Sequence, residues 1–165
     1  MKIRMANTLG VVAILTAACA TPVADSGDRE FATKLWSALA DARMVSDDAI
    51  RTRPYRGGEP HGAILDYIEH DVTVAGHTGR AIVKKNYEGP GATVEKIWSD
   101  PLPYLRSVTV MFRREAGYDA AHRNWFWAKF GADGVVQASG RIGECIACHG
   151  RAAGNDYILG FTKPR

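Results

Sequence analysis

Hydrophobic positions recur with a helical period once near the start of the chain, and with a strand period repeatedly after it. From Asp28 to Met44, Phe31, Leu35, Leu39 and Ala42 fall on one stripe, which Trp36 widens. This predicts an amphipathic helix with Asp28 at its N-cap and its apolar face on a core. Arg51 to Gly62 reads as a loop, marked by Pro54, Gly57, Gly58, Pro60 and Gly62. Ala63 to Ile68 predicts a short strand and Val72 to Ala75 another, ahead of the turn residues Gly76 to Gly79. Arg80 to Tyr87 predicts a strand. Alternation puts Ile82 and Lys84 on one of its faces and Ala81, Val83, Lys85 and Tyr87 on the other. After the turn Glu88-Gly89-Pro90-Gly91, Val94 to Trp98 and Ser107 to Arg113 predict further strands around an Asp100-Pro101-Leu102-Pro103 loop. Val108, Val110 and Phe112 then share one face, with Thr109 and Met111 on the other. Trp125 to Phe130 and Val135 to Ser139 flank Gly131-Ala132-Asp133-Gly134, a hairpin signal. Consecutive strands with hairpin turns predict an α+β fold, mainly antiparallel sheet with an N-terminal helix.

Directly after the last predicted strand comes Glu144-Cys145-Ile146-Ala147-Cys148-His149-Gly150. Cys-x-x-Cys-His is the attachment signature of c-type haem. Two thiols about one helical turn apart can each form a thioether to a haem vinyl group, and the adjacent imidazole can serve as the proximal iron ligand. A short helix is expected here. A zinc site would want a second Cys or His pair at ligand spacing, and none follows. A thioredoxin-like dithiol would want a long helix after the motif, where Gly150 and Gly154 intervene. Haem c, with Cys145 and Cys148 bonded to it and His149 on the iron, is the reading that fits all three residues.

The N-terminus agrees with that chemistry. Lys2 and Arg4 precede an apolar run from Leu9 to Ala18 and then small residues, the layout of a secretory signal peptide. The run is too short for a stable membrane anchor. Ala18-Cys19-Ala20 fits the cleavage site, so residues 1–20 are expected to be removed and 21–165 to form a single domain. Cys19 also allows lipidation at the new N-terminus, although Thr16 stands where lipoprotein signals usually carry leucine. Either route leads to a periplasmic or secreted protein, and covalent haem is attached outside the cytoplasm. Removing Lys2 and Arg4 lowers the formal charge from +3 to +1. A nearly neutral domain gives no electrostatic reason to bind nucleic acid. Haem would consume both remaining cysteines, so no disulfide framework is expected.

A strand-rich chain carrying this motif departs from the helical architecture of most small c-type cytochromes. From Pro60-His61-Gly62 to Tyr157 it resembles the cytochrome P460 family. The matching stretches are Ala81 to Tyr87, Val108 to Met111, Gly117-Tyr118-Asp119, Asn124 to Phe130, Cys145 to Gly150 and Asn155-Asp156-Tyr157. The resemblance implies a mostly antiparallel β fold, commonly homodimeric, around a five-coordinate haem with an accessible distal face. In the family's enzymatic members a lysine is bonded to the porphyrin edge, and they oxidise hydroxylamine to nitric oxide or nitrous oxide. The related β-type cytochromes c′ lack that bond and bind nitric oxide in an apolar pocket.

Carried over, the resemblance makes Cys145, Cys148 and His149 the haem attachment and Lys84 the best match to the cross-linking lysine, with Lys85 its competitor. Alternation sends those two lysines to opposite faces, so only one can reach the haem. A buried Lys84 would have a lowered pKa and a more nucleophilic amine. The enzymatic members also use a distal carboxylate; Glu95 and Glu115 are the nearest candidates here, and both read as solvent-facing. Phe112, Met111 or Trp127 in the pocket would favour gas binding instead. Met44, Met111, His61, His70, His77 and His122 are chemically able to take the sixth iron position, which would make an electron carrier. Expected partners are therefore a small nitrogen-containing substrate or nitric oxide, a redox partner protein and a second copy of the chain.

Overall fold

The computed structural model describes residues 26–159. The signal-peptide and Cys19 readings lie outside them. The fold is α+β: an N-terminal helix, a six-stranded antiparallel sheet and a short helix near the C-terminus. Helix α1 (Ser26–Asp41) is followed by β1 (Tyr55–Arg56), β2 (Ile64–Val74), β3 (His77–Tyr87), α2 (Val94–Ser99), β4 (Leu105–Arg113), β5 (Trp125–Gly131), β6 (Val136–Gly140) and α3 (Gly143–His149). A 3₁₀ segment, Gly150–Asn155, continues from α3 with a kink at Ala152. The strands pair in sequence order, so the sheet is a simple meander.

Period-2 patterning decides which side of this sheet each residue serves. One face carries Ala81 and Val83 of β3, Val108, Val110 and Phe112 of β4, and Phe126, Ala128 and Phe130 of β5. Leu35 and Leu39 of α1 pack on it, both fully buried. The helix touches β2 at one side and β6 at the other, so the sheet curls around it. At roughly 1.5–3 kcal/mol for each large apolar side chain buried, this face supplies most of the hydrophobic stabilisation. The opposite face carries Ile82, Met111, Trp125 and Trp127, which pack with Tyr157 and Ile158 from the C-terminal segment.

Several elements differ from the sequence expectation. Arg51 to Gly62 is not wholly a loop, because Tyr55–Arg56 pairs with Leu65 and Ile64 as the two-residue strand β1. β2 is one continuous strand, although Glu69-His70-Asp71 reads as a break. Those residues pair in register with Ile82, Ala81 and Arg80, and backbone pairing carries the strand through a polar stretch exposed to solvent. The turn before β3 is only Ala75-Gly76, both at positive φ (49° and 84°), so His77 to Gly79 belongs to β3. This is the left-handed pair that a two-residue hairpin demands. Val94 to Trp98 forms helix α2 rather than a strand. Thr93 caps it, its hydroxyl accepting from the Lys96 amide at 3.2 Å, and only Ile97 is buried. A helix of six residues is too short for its period to show against β-branched neighbours. α1 also begins at Ser26 and ends at Asp41, slightly earlier than its hydrophobic stripe suggests.

Candidate haem site

α3 lies against the second face of the sheet, and the residues of the Cys-x-x-Cys-His motif line a cavity between them. Its floor is set by strand register. Ile82, Met111 and Trp127 are neighbours across β3, β4 and β5, and form an apolar row. One residue pair further along the strands, roughly 7 Å away, the neighbours are Lys84, Thr109 and Lys129. Asn86 and Ser107 follow. All of these line the same space as Cys145, Cys148 and His149, and so does His61 from the loop before β2.

His149 is 6% exposed and its ring is fixed from behind. Its Nδ1–H donates to the Tyr157 carbonyl at 2.6 Å, which leaves Nε2 as the free lone pair. Burial holds the imidazole below its ordinary pKa, with Lys84 adding to that and the Tyr157 bond opposing it. The carbonyl is positioned in turn by the chain around it. Asp156 and Tyr157 both have positive φ, 59° and 64°. Asp156 accepts two bonds from Arg113 at 2.6 and 2.7 Å, and its backbone carbonyl accepts from Trp125 Nε1 at 3.0 Å. Asn155 Nδ2 closes the turn on the Ile158 carbonyl at 2.8 Å. Trp127 stands edge-on to the His149 ring, with centroids 4.8 Å apart.

Both thiols are free and half-buried. Arg151 Nη2 donates to Cys148 Sγ at 3.0 Å. Burial raises the Cys145 thiol above its ordinary pKa, and the nearby Glu144 and Cys148 add to that.

Lys84 and Lys85 separate as strand alternation requires. Lys84, 8% exposed, faces the motif; burial lowers its pKa, only partly opposed by Cys148. Lys85, 9% exposed, faces the other side, in a separate cavity with Asp66 and Tyr87. There Tyr87 donates to Asp66 at 2.7 Å, and burial raises the Asp66 carboxyl.

The remaining candidates sort cleanly. Met111 and Trp127 line the cavity, whereas Phe112 lies in the α1-side core. Met44 is buried in that same core. His70 is exposed on β2, His77 hydrogen-bonds the Arg113 carbonyl at 3.0 Å, and His122 is paired with Asp119 at 2.8 Å. Glu95 and Glu115 are both exposed and away from the cavity, Glu115 paired with Arg114. His61 is the one histidine besides His149 that lines it. Its Nδ1 meets the Thr109 hydroxyl at 3.3 Å, and its ring centre lies 6.1 Å from that of His149 at 88°. Burial, with Lys84, His149 and Lys129 nearby, lowers its pKa to about 4. Asn86, Ser107 and Thr109 are site residues that the sequence reading passed over. The alternation that selects Lys84 also selects Asn86, but nothing local pairs these strands.

A family model described as cytochrome P460 matches residues 41–160. The chain belongs to the cytochrome P460 family. Comparisons with curated proteins and with solved structures give no match. Membership implies a haem cofactor, and the cavity's chemistry fits one. The described residues hold no cluster of three or more His, Cys, Asp or Glu that could hold a metal ion. An apolar row faces the imidazole for a porphyrin to lie against. Trp127 Nε1 and Asn86 Oδ1 are buried there with no partner among the described residues.

Proposed function

We propose that this member of the cytochrome P460 family is an exported c-type haem protein that oxidises hydroxylamine or a related small nitrogen species. Cys145 and Cys148 would hold the haem by thioethers, and His149 would bind its iron. The observation that carries this reading is the buried amine of Lys84, which shares the cavity with all three motif residues. Haem iron supplies the centre that takes electrons from the substrate and passes them to a redox partner protein. The protein's own residues do the rest. The Tyr157 carbonyl fixes the His149 tautomer. The unpartnered Asn86 Oδ1 offers an acceptor to a small N–H or O–H donor, beside the Thr109 and Ser107 hydroxyls.

Lys84 modifies the ring. Burial lowers the pKa of its amine, which enlarges the neutral, nucleophilic fraction. Joining its nitrogen to a ring carbon removes one N–H and one C–H hydrogen, a two-electron oxidation that requires a peroxide-class oxidant during maturation. The homodimer and the periplasmic or secreted location belong to the same reading.

Mass spectrometry of mature protein tests it. The peptide containing Lys84 should remain attached to the porphyrin, and the ferrous Soret band should lie far to the red of an ordinary c-type haem. In Lys84→Ala both features disappear and hydroxylamine oxidation falls by about ten- to a hundredfold, the scale of a lost tuning contact. A wild-type porphyrin that carries only the Cys145 and Cys148 peptides, in protein inert to hydroxylamine, would overturn the proposal.

A second reading has its own observation. Ile82, Met111 and Trp127 form an apolar wall, and among the described lining residues the one carboxylate is Glu144, on α3 itself. A cavity without a distal carboxylate favours nitric oxide binding of the β-type cytochrome c′ kind. That reading expects a free Lys84 peptide and a stable ferrous nitrosyl spectrum.

A further inference from the structure

We propose that the second cavity, which holds Asp66, Lys85 and Tyr87, is a binding site for a small organic carboxylate. The site is separate from the haem cavity: no residue lines both, and Lys85 faces away from the Cys-x-x-Cys-His motif. Its volume is about 220 Å³, against the roughly 10–15 Å³ that a single water requires. A molecule of several heavy atoms can therefore enter it.

Strand register sets the base of the cavity. Asp66 of β2 and Lys85 of β3 are direct partners, and Tyr87 follows Lys85 on the same face. All three are buried, Asp66 at 4% exposure and Lys85 at 9%. Partners of this kind have Cβ atoms about 5 Å apart. The Lys85 amine and the Asp66 carboxyl nevertheless do not meet as an ion pair among the described residues. Tyr87 donates to Asp66 Oδ2 at 2.7 Å, while Oδ1 is buried with no partner. A buried amine and a buried carboxyl oxygen are both open to the same space. Groups of this kind carry a large desolvation cost until something pairs with them.

Charge decides what the partner is. A cation placed on Asp66 would also face Lys85 and Arg51, which lines the cavity from the loop before β1. An anion is attracted by both. Burial raises the Asp66 carboxyl pKa, with Lys85, Tyr87 and Arg51 opposing, and a bound anion raises it further. Once protonated, Asp66 accepts from Tyr87 at Oδ2 and presents Oδ1–H to the ligand. One carboxylate oxygen accepts that bond and the other pairs with Lys85. Asp47 and Asp100 also line the cavity, but both are exposed, where solvent screens them. Arg51 is held in place by α2. Its Nη2 donates to the Trp98 and Ile97 carbonyls, and its guanidinium lies 5.2 Å from the Trp98 ring centre. The walls select an organic anion over an inorganic one, because Pro54, Ile97 and Leu105 offer apolar surface that a bare oxyanion leaves uncovered.

Isothermal titration of the holoprotein with butyrate, at constant ionic strength, tests the site. Wild type should bind one butyrate per chain, about tenfold more tightly than acetate because two more methylenes are buried. Nitrate should bind more weakly than butyrate. Lys85→Met, similar in length, should weaken butyrate by about tenfold or more and leave the haem spectrum unchanged. Affinity in wild type should fall as pH rises, since the donating form of Asp66 is the protonated one. Lys85, Tyr87, Tyr55 and Arg51 surround that carboxyl, with Asp47 and Asp100 at the rim. Asp66→Asn separates it from them, because an amide donates at every pH, and should bind butyrate with the pH dependence removed. Wild type that binds no butyrate overturns the proposal, as does an unchanged affinity in Lys85→Met. Tighter binding of butylammonium than of butyrate overturns it too, and so does a pH dependence that persists in Asp66→Asn.

Discussion

Asp156 touches no candidate ligand, yet it sets where the ligand's partner stands. Both oxygens of its carboxylate accept from the one Arg113 Nη2, at 2.6 and 2.7 Å, with Arg80 and Arg123 at 3.6 and 3.5 Å. Its backbone occupies the left-handed region, which an Asp or Asn enters more readily than most residues. Asp156→Ala removes the charge-assisted bonds and strains the turn together, and should destabilise the holoprotein by about 2–3 kcal/mol in guanidinium unfolding. It should also loosen the Tyr157 carbonyl and make the His149 imidazole a weaker donor, raising the haem's reduction potential. Asp156→Asn keeps the turn conformation and should lose less on both measures. Unchanged potential in Asp156→Ala would show that the turn holds itself without the carboxylate. Single residues of this site differ in how visible they are in sequence. Cys145, Cys148 and His149 are adjacent, so their chemistry is local and can be read directly. Lys84 against Lys85 is settled by alternation once a neighbour such as Ile82 marks the face. His61 and Thr109 are far apart in the chain, and their contact exists only after β4 has been laid beside β3.

At the scale of elements, turns and pairing decide more than periodicity does. Gly79 shows this. It reads as a turn residue, but it lies inside β3 opposite Val72. A Cβ there would come within 2.1 Å of the Arg113 carbonyl and 3.1 Å of the Phe112 ring. The glycine is therefore needed for close approach of β4, not for chain reversal, which Ala75-Gly76 performs. Gly79→Ala should force β3 and β4 apart at that end. A cost of about 1–3 kcal/mol in denaturant unfolding is expected. Because Arg113 carries Asp156, its effect should not add simply to that of Asp156→Ala, and the double variant measures the coupling. Additive losses would mean that the strand end and the His149 turn are mechanically separate. The strands with a clean apolar alternation, β3, β4 and β5, are legible from sequence because the α1-side core selects every second residue. β2 is not, since its central residues face solvent and are held by backbone pairing and the Glu69–Arg80 ion pair rather than by a core. α2 is not, because its start depends on the Thr93 cap and its end on the Asp100 cap rather than on a stripe.

Taken as a whole, the molecule has two unequal halves sharing one sheet. The α1-side core runs from Ala32 to Val136 and includes no residue of α3 or of the segment after it. The haem side depends on a smaller cluster, in which Tyr157, Ile158, Cys145 and Ile146 rest on Ile82, Met111, Trp125 and Trp127. α3 has only seven residues, far short of what an isolated helix needs to persist in water. Two thioethers and an iron bond would tie that helix to a ligand wedged against the sheet. Without them its remaining anchors are the Asp156 cluster and a few apolar contacts. Hydrogen exchange of a Cys145→Ala/Cys148→Ala double variant, purified without haem, should therefore be uneven. Amides of residues 143–158 should exchange near the rate of open chain, while those of β3, β4 and β5 keep the protection of a global unfolding event. The holoprotein should protect both regions. Loss of protection spread evenly over sheet and haem segment would contradict this division, because it would mean that the cofactor is required for the α1-side core as well. An uneven pattern has a functional corollary. The sheet can fold first and present the motif on a loose segment, which gives the haem-attachment machinery access to both thiols before α3 closes over the cavity.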